Sequence, residues 1–367
     1  PTPPPPPAPP PQHYHPPHPP PSPPEPPAPH QAHTAPTTRA TALDMMKGWL
    51  TIFMVLSHLT YVVPFRWSHK FNIYVNLTSF SGFMFCFGYA CWKAYIEKER
   101  EDVAKRLGKG AFKSLLAFYI CGLGSYIRGT LQDWESVLFL QRLPGMTEFL
   151  FSFCLMYLMI LIFRKQLKRL TWGNGAVISV ISLAVTAAFP FDIVSDPIIG
   201  SIFGTASYYS FPLIAYLGYF IVGCLLAKYQ IVFVKWLFLI TCILTAAFFN
   251  FCRANGILPG RFPPTVWWIC GGSLFIYFYF LIFKLVSQEG IDIKPLIFIG
   301  KHTLVFLVVS NMLLFILWNH LIDERLWETV SMNRWELRYM IFITITFIIS
   351  WGVIKINEKC RGWIFWD

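Results

Sequence analysis

The stretch Ala42-Leu43-Asp44-Met45-Met46-Lys47-Gly48-Trp49-Leu50-Thr51-Ile52-Phe53-Met54-Val55-Leu56-Ser57-His58 decides the fold. It opens an apolar run that reaches about residue 63, and a run of about 20 apolar residues is what ~30 Å of hydrocarbon requires of a helix. Further runs follow at about 72–92, 111–130, 146–163, 174–191, 207–227, 231–251, 264–286, 296–319 and 337–356. The run at 174–191 is the shortest and would cross only with local thinning of the bilayer or re-entry. Long unbroken runs exclude a membrane β-barrel, whose strands alternate. The expected class is all-α: a polytopic membrane bundle of about ten transmembrane helices.

Composition agrees. The 367 residues are 55% hydrophobic, 18% aromatic and only 13% charged, against about 25% charge in soluble domains. This balance argues against an ordinary cytosolic enzyme. The first 38 residues hold 20 of the 29 prolines and five of the nine histidines. Such a segment cannot bury a core, so residues 1–40 are expected to be a disordered or polyproline II tail and residues 41–367 the membrane domain. Without a glycine period the tail is not collagen-like. Its His13, His15, His18, His30 and His33 could bind a metal, or its prolines could dock a protein partner; a solvated cytosolic extension is the plainer reading. The first apolar run lies behind this tract, so no cleavable signal peptide is expected. Eight of the nine cysteines sit in or at the end of apolar runs and none forms a CxxC pair, which reads as small core residues.

Charge sets the expected orientation. With the N-terminus in the cytosol, 21 of the 30 Lys and Arg residues fall on the cytosolic side. They include the group Lys98, Arg100, Lys105, Arg106, Lys109 and Lys113 and the group Arg164, Lys165, Lys168 and Arg169. Positive loops stay inside, so both termini are expected in the cytosol and the chain in a plasma (inner) membrane. The formal charge of +11 follows membrane side rather than clustering on a nucleic-acid-binding domain. Asn76-Leu77-Thr78 matches a glycosylation acceptor but lies within the second run, which argues against its use.

Charged or polar groups inside a span are candidates for function, because hydrocarbon disfavours them. Lys47 and His58 are 11 positions apart, close to three helical turns, so they share a helix face about 16 Å apart along the axis. Asp44, three residues before Lys47, can pair with it. Taken singly, a lysine near a helix end snorkels and a histidine in a bundle satisfies a hydrogen bond. Taken together they place a cationic anchor at one end of a path and, at the other, a base with an ordinary pKa near neutrality.

This pattern resembles the acyltransferase-3 family of integral membrane acyltransferases. Lys47 and His58 stand as that family's Arg or Lys, ten residues, then His. Phe80-Ser81-Gly82-Phe83 is similar to its Ser-Gly-Phe signature. Arg106 and Lys109 stand where two arginines are common, Thr147-Glu148-Phe149-Leu150 where Trp-Phe-Leu or a relative is found, and Gly300-Lys301-His302-Thr303-Leu304 resembles its late Gly-x-x-Ser/Thr-Leu. Lysine replaces arginine at Lys47 and Lys109, and Ser310 stands where many relatives have a second histidine.

The resemblance implies transfer of an acyl group, commonly acetyl, from cytosolic acetyl-CoA to an outward-facing sugar hydroxyl of an envelope polysaccharide or lipid-linked glycan. It implies His58 as general base or transient acyl carrier, with Ser81 and Glu148 as further catalytic candidates. Lys47, Arg106, Lys109 and Lys113 would pair with the coenzyme A phosphates, Asp44 would support Lys47, and Arg128 would contact the acceptor or the interface. No metal is expected, because His58, His69, His302 and His320 show no ligand spacing. Asn311 reads as an interhelical hydrogen bond, and Trp134, Trp267, Trp268 and Trp327 as aromatic belt or sugar-stacking residues. The competing readings are a glycan or small-solute transporter or flippase, and a structural or sensory protein whose tail recruits a partner.

Overall fold

The computed structural model describes residues 1–4, 38–97, 101–129, 133–322 and 335–359. The chain divides into two units, Pro1–Thr37 and Thr38–Asp367. The first four residues are exposed and without regular structure. The remainder of the proline tract, Lys98, Arg100, Trp327 and the side chain of His320 lie outside the described residues.

In the second unit every apolar run holds a helix. They are α1 (Thr38–Thr60), α2 (Ser68–Cys91, continued by a π-helical turn Trp92–Ile96), α3 (Val103–Ile127), α5 (Glu148–Lys168), α6 (Trp172–Ala188) and α8 (Leu213–Tyr229), then α9 (Lys235–Asn255), the pair α10 (Val266–Gly271) and α11 (Ser273–Gln288), the pair α12 (Lys294–Lys301) and α13 (Thr303–Ile322), and α14 (Trp335–Lys359). Two short helices, α4 (Trp134–Leu138) and α7 (Pro197–Phe203), lie in connections. Among the described residues there is no strand, only an isolated bridge between Arg261 and Pro264.

Among the described residues, five segments are long and apolar enough to cross a membrane: α3, α5, α9, α10 with α11, and α14; a sixth is counted if α12 and α13 form one broken span. Their surfaces agree with embedding in lipid. On α9, Trp236, Leu239, Ile240, Ile243 and Phe249 are exposed, as are Val177, Val180 and Ile181 on α6. Soluble monomers rarely expose contiguous apolar faces of this kind.

Two expected boundaries are corrected. The run at 296–319 is not a straight span: α12 and α13 meet at His302 with an 83° bend. There the helical ladder is shared, the His302 N–H donating to both Phe298 and Ile299 carbonyls, and the Thr303 hydroxyl caps the carbonyl of Gly300 at 3.0 Å. The run at 207–227 becomes helical only at Leu213, because Pro212 disfavours helical backbone at Phe211.

Helix α1 packs against α2, α11, α12 and α13 and lies at the centre of the contacts. Its approach to α12 rests on two glycines. A Cβ on Gly48 would lie 2.1 Å from the Leu296 carbonyl oxygen, and one on Gly300 1.8 Å from that of Asp44. Helices α2 and α8 meet in the same manner at Gly88 and Gly223. Close backbone approach through small residues is how membrane helices gain packing without a hydrophobic driving force.

Candidate functional site

His58 lies in the last turn of α1 and lines a cavity of about 350 Å³. Its Nδ1 is 2.8 Å from Asn311 Oδ1 on α13. The Asn311 amide cannot turn over without loss, because its Nδ2 donates to the Met146 carbonyl at 3.0 Å. With Oδ1 thereby facing the imidazole, this network assigns the proton to Nδ1 and leaves the lone pair on Nε2. That is the tautomer a base or nucleophile needs.

Met146 is held at a positive φ of 67°, a left-handed conformation uncommon for a side chain of that size. Its carbonyl is the one that Asn311 grips, so a single amide fixes both the imidazole and the loop that forms the cavity wall. Beside it, Glu148 is buried at the first position of α5. Its carboxylate folds back on the helix start and accepts the Thr147 N–H at 2.8 Å, as expected of an acid at a helix N-terminus. Glu148 and His58 therefore share one cavity.

The same cavity contains polar residues outside the catalytic candidates. Arg261 enters it from the connection before α10. Its guanidinium lies 4.4 Å from the Phe262 ring centroid and 5.5 Å from that of Phe211, and its charge reaches His58, Glu148 and Tyr216. Ser57, whose hydroxyl donates to Asn72 Oδ1 at 2.7 Å, and Asn76 also line it.

The remaining candidates fall elsewhere. Ser81 is buried but does not line this cavity; its hydroxyl reaches that of Tyr219, which lies 3.0 Å from Ser273 Oγ and donates to the Ile269 carbonyl. Lys47 forms a 2.7 Å ion pair with Asp44 at the opposite part of α1. Arg106 packs over the Tyr95 ring at 5.5 Å, where Arg164 donates from Nε to the Tyr95 carbonyl at 2.8 Å. Lys109 is exposed and Lys113 half-buried on the same first turns of α3. Arg128, at the end of α3, lines a second cavity of about 490 Å³. Of the tryptophans, Trp267 is exposed, Trp134 is half-buried, and Trp268 is a core residue packed with Leu77 and Phe248 rather than a belt residue.

Comparison with protein-family models, with curated proteins and with solved structures finds no match to this chain. The site joins an imidazole held at Nδ1, a buried carboxylate and a guanidinium around one cavity. A paired lysine lies three helical turns away along the helix that carries the imidazole.

Proposed function

We propose that this chain is a membrane O-acyltransferase that moves an acyl group, acetyl in the simplest case, from cytosolic acetyl-CoA to a sugar hydroxyl of an extracytoplasmic polysaccharide or lipid-linked glycan. The observation that carries this reading is the hydrogen bond between His58 Nδ1 and Asn311, which leaves Nε2 basic beside a cavity of substrate size. The proposed topology is ten spans with both termini in the cytosol of a plasma (inner) membrane, which brings the Lys47 end of α1 to the donor side and the His58 end to the acceptor side.

Acetyl-CoA would supply an activated thioester and an anionic handle. The residues present fit such a donor: Lys47 offers an ammonium already oriented by Asp44, and Arg106, Lys109 and Lys113 add charge on the first turns of α3. His58 Nε2 takes the proton of the acceptor hydroxyl as that oxygen attacks the acyl carbon. The proton then leaves with the thiol sulfur as the carbon–sulfur bond breaks. Asn311 keeps the imidazole turned to the cavity through both transfers and stabilises its protonated form by accepting from Nδ1. Glu148 adds a negative charge favouring that same protonated form, and Arg261 opposes it while favouring negative charge on the reacting carbonyl oxygen. Ser81 is left with a packing role through Tyr219.

The test is alkali-labile acetate on the envelope glycans of cells expressing the parent chain or His58→Ala at matched membrane levels. Acetate with the parent and none with the variant is the expected result. Equal acetate from both would remove His58 from the mechanism. A glycan transporter is the second reading, favoured by the 83° break at His302, since broken helices are common at transport sites. Glycan movement without acetate transfer would select it.

A further inference from the structure

The cavity at His58 and the cavity at Arg128 share Gly145 and Met146 in their walls. Together they are lined by three guanidinium groups, Arg128, Arg142 and Arg261, and by one carboxylate, Glu148. Two acids on the connections, Asp133 and Asp196, are turned to helix N-termini. Asp133 Oδ1 accepts the Glu135 N–H at 2.9 Å, and Asp196 Oδ1 accepts the Ile199 N–H at 2.9 Å. Glu148 is likewise turned to backbone N–H groups. Among the described residues that line the two neighbouring cavities, cationic side chains therefore outnumber acidic ones.

Arg261 is the most specific of the three. Its Nε is buried and has no hydrogen-bond partner among the described residues. The guanidinium is fixed against Phe211 and Phe262 rather than extended into solvent. A buried N–H without a hydrogen-bond partner is unfavourable unless a ligand supplies one. The planar fork of a guanidinium matches the two oxygens of a carboxylate or a phosphate.

We propose that the acceptor is an acidic saccharide whose carboxylate or phosphate docks on Arg261, with Arg142 and Arg128 lining its approach, so that a hydroxyl of the same or the adjoining sugar meets His58. The hydroxyl's role rests on the acyltransferase reading; the anion site does not. Charged walls of this kind both raise the local concentration of an anionic ligand and discriminate against a neutral one.

The experiment is titration of the purified full-length chain in detergent with methyl glucuronide, methyl glucoside 6-phosphate and neutral methyl glucoside, for the parent, Arg261→Gln and Arg261→Lys. The expected result is that at least one anionic sugar binds tenfold or more tightly than the neutral one. Arg261→Gln should remove that preference, and Arg261→Lys should retain part of it. The carboxylate and phosphate arms identify which anion is preferred. If Arg261→Gln does not fold, the parent and Arg261→Lys are compared at low and high salt, and the anionic preference should shrink as salt rises in both. Equal affinity for neutral and anionic sugars would overturn the proposal. So would an Arg261→Gln variant that weakens acetyl-CoA binding and leaves the sugar preference intact. An Arg261-dependent preference in a protein that transfers no acetate would leave the anion site standing and remove the acyltransferase reading.

Discussion

His58 Nδ1 and Asn311 Oδ1 meet at 2.8 Å although 253 positions separate them in the chain. The bond ties the central helix α1 to α13, and through Asn311 Nδ2 it ties both to the strained backbone at Met146. A catalytic imidazole needs this kind of fixed partner, since either nitrogen can carry the proton in a free histidine.

Asn311→Ala should therefore lower kcat for acetate transfer by roughly 10- to 100-fold, part of the 10²–10⁴ that a positioned base supplies. The KM for acetyl-CoA should stay within twofold of the parent, because the proposed anchor for the donor's phosphates, Lys47, lies at the other part of α1. Steady-state kinetics on membranes or purified protein separates the two parameters. A variant that loses both kcat and donor affinity in proportion would show Asn311 to be a structural residue only.

Lys47→Ala should raise the KM for acetyl-CoA by about tenfold with kcat little changed, as expected when a charge that binds donor and transition state alike is removed. Lys47→Arg should retain the parent KM, because the guanidinium keeps the charge and can still reach Asp44, three positions before it. An unchanged KM in Lys47→Ala would rule out the anchor role.

The run lengths of the chain made its helices legible, because hydrocarbon thickness and helical rise fix how many apolar residues a span needs. The Asp44–Lys47 pair was legible for a similar reason, since i,i+3 spacing dictates contact on any helix. Arg261 was not. It lies in a connection between α9 and α10, and apolar run length carries no information about connections that fold back into a cavity. Asn311 was legible as an interhelical hydrogen bond, but periodicity along α13 says nothing about which histidine α13 faces. Ser81 shows the converse: its place in a motif gives no information about the hydroxyl it meets, here that of Tyr219.

Lys228→Met should destabilise the bundle by about 1–3 kcal/mol, the usual range for hydrogen bonds to a charged group. The Lys228 ammonium donates to the carbonyls of Leu170 at 2.5 Å and Lys168 at 3.2 Å, where α5 ends and its last carbonyls lack helical partners. It also lies 5.3 Å from the Trp92 ring centroid. Thermal unfolding in detergent should show a lower Tm. A Tm equal to that of the parent would mean that water replaces the ammonium at those carbonyls without loss.

Gly300→Ala should destabilise the chain more than its single methyl group suggests. The added Cβ would stand 1.8 Å from the Asp44 carbonyl oxygen, and backbone rather than a flexible side-chain tip is what it meets. Helices α1 and α12 must then separate, with a loss of about 1–3 kcal/mol typical of overpacking. Asp44 moves with that backbone, so the Asp44–Lys47 pair should loosen and the KM for acetyl-CoA should rise alongside the drop in Tm. Gly352→Ala, on α14 where a Cβ meets nothing within 4 Å, is the matched control and should change neither. Equal Tm values for the two variants would show that the α1–α12 contact is looser than the backbone distances require.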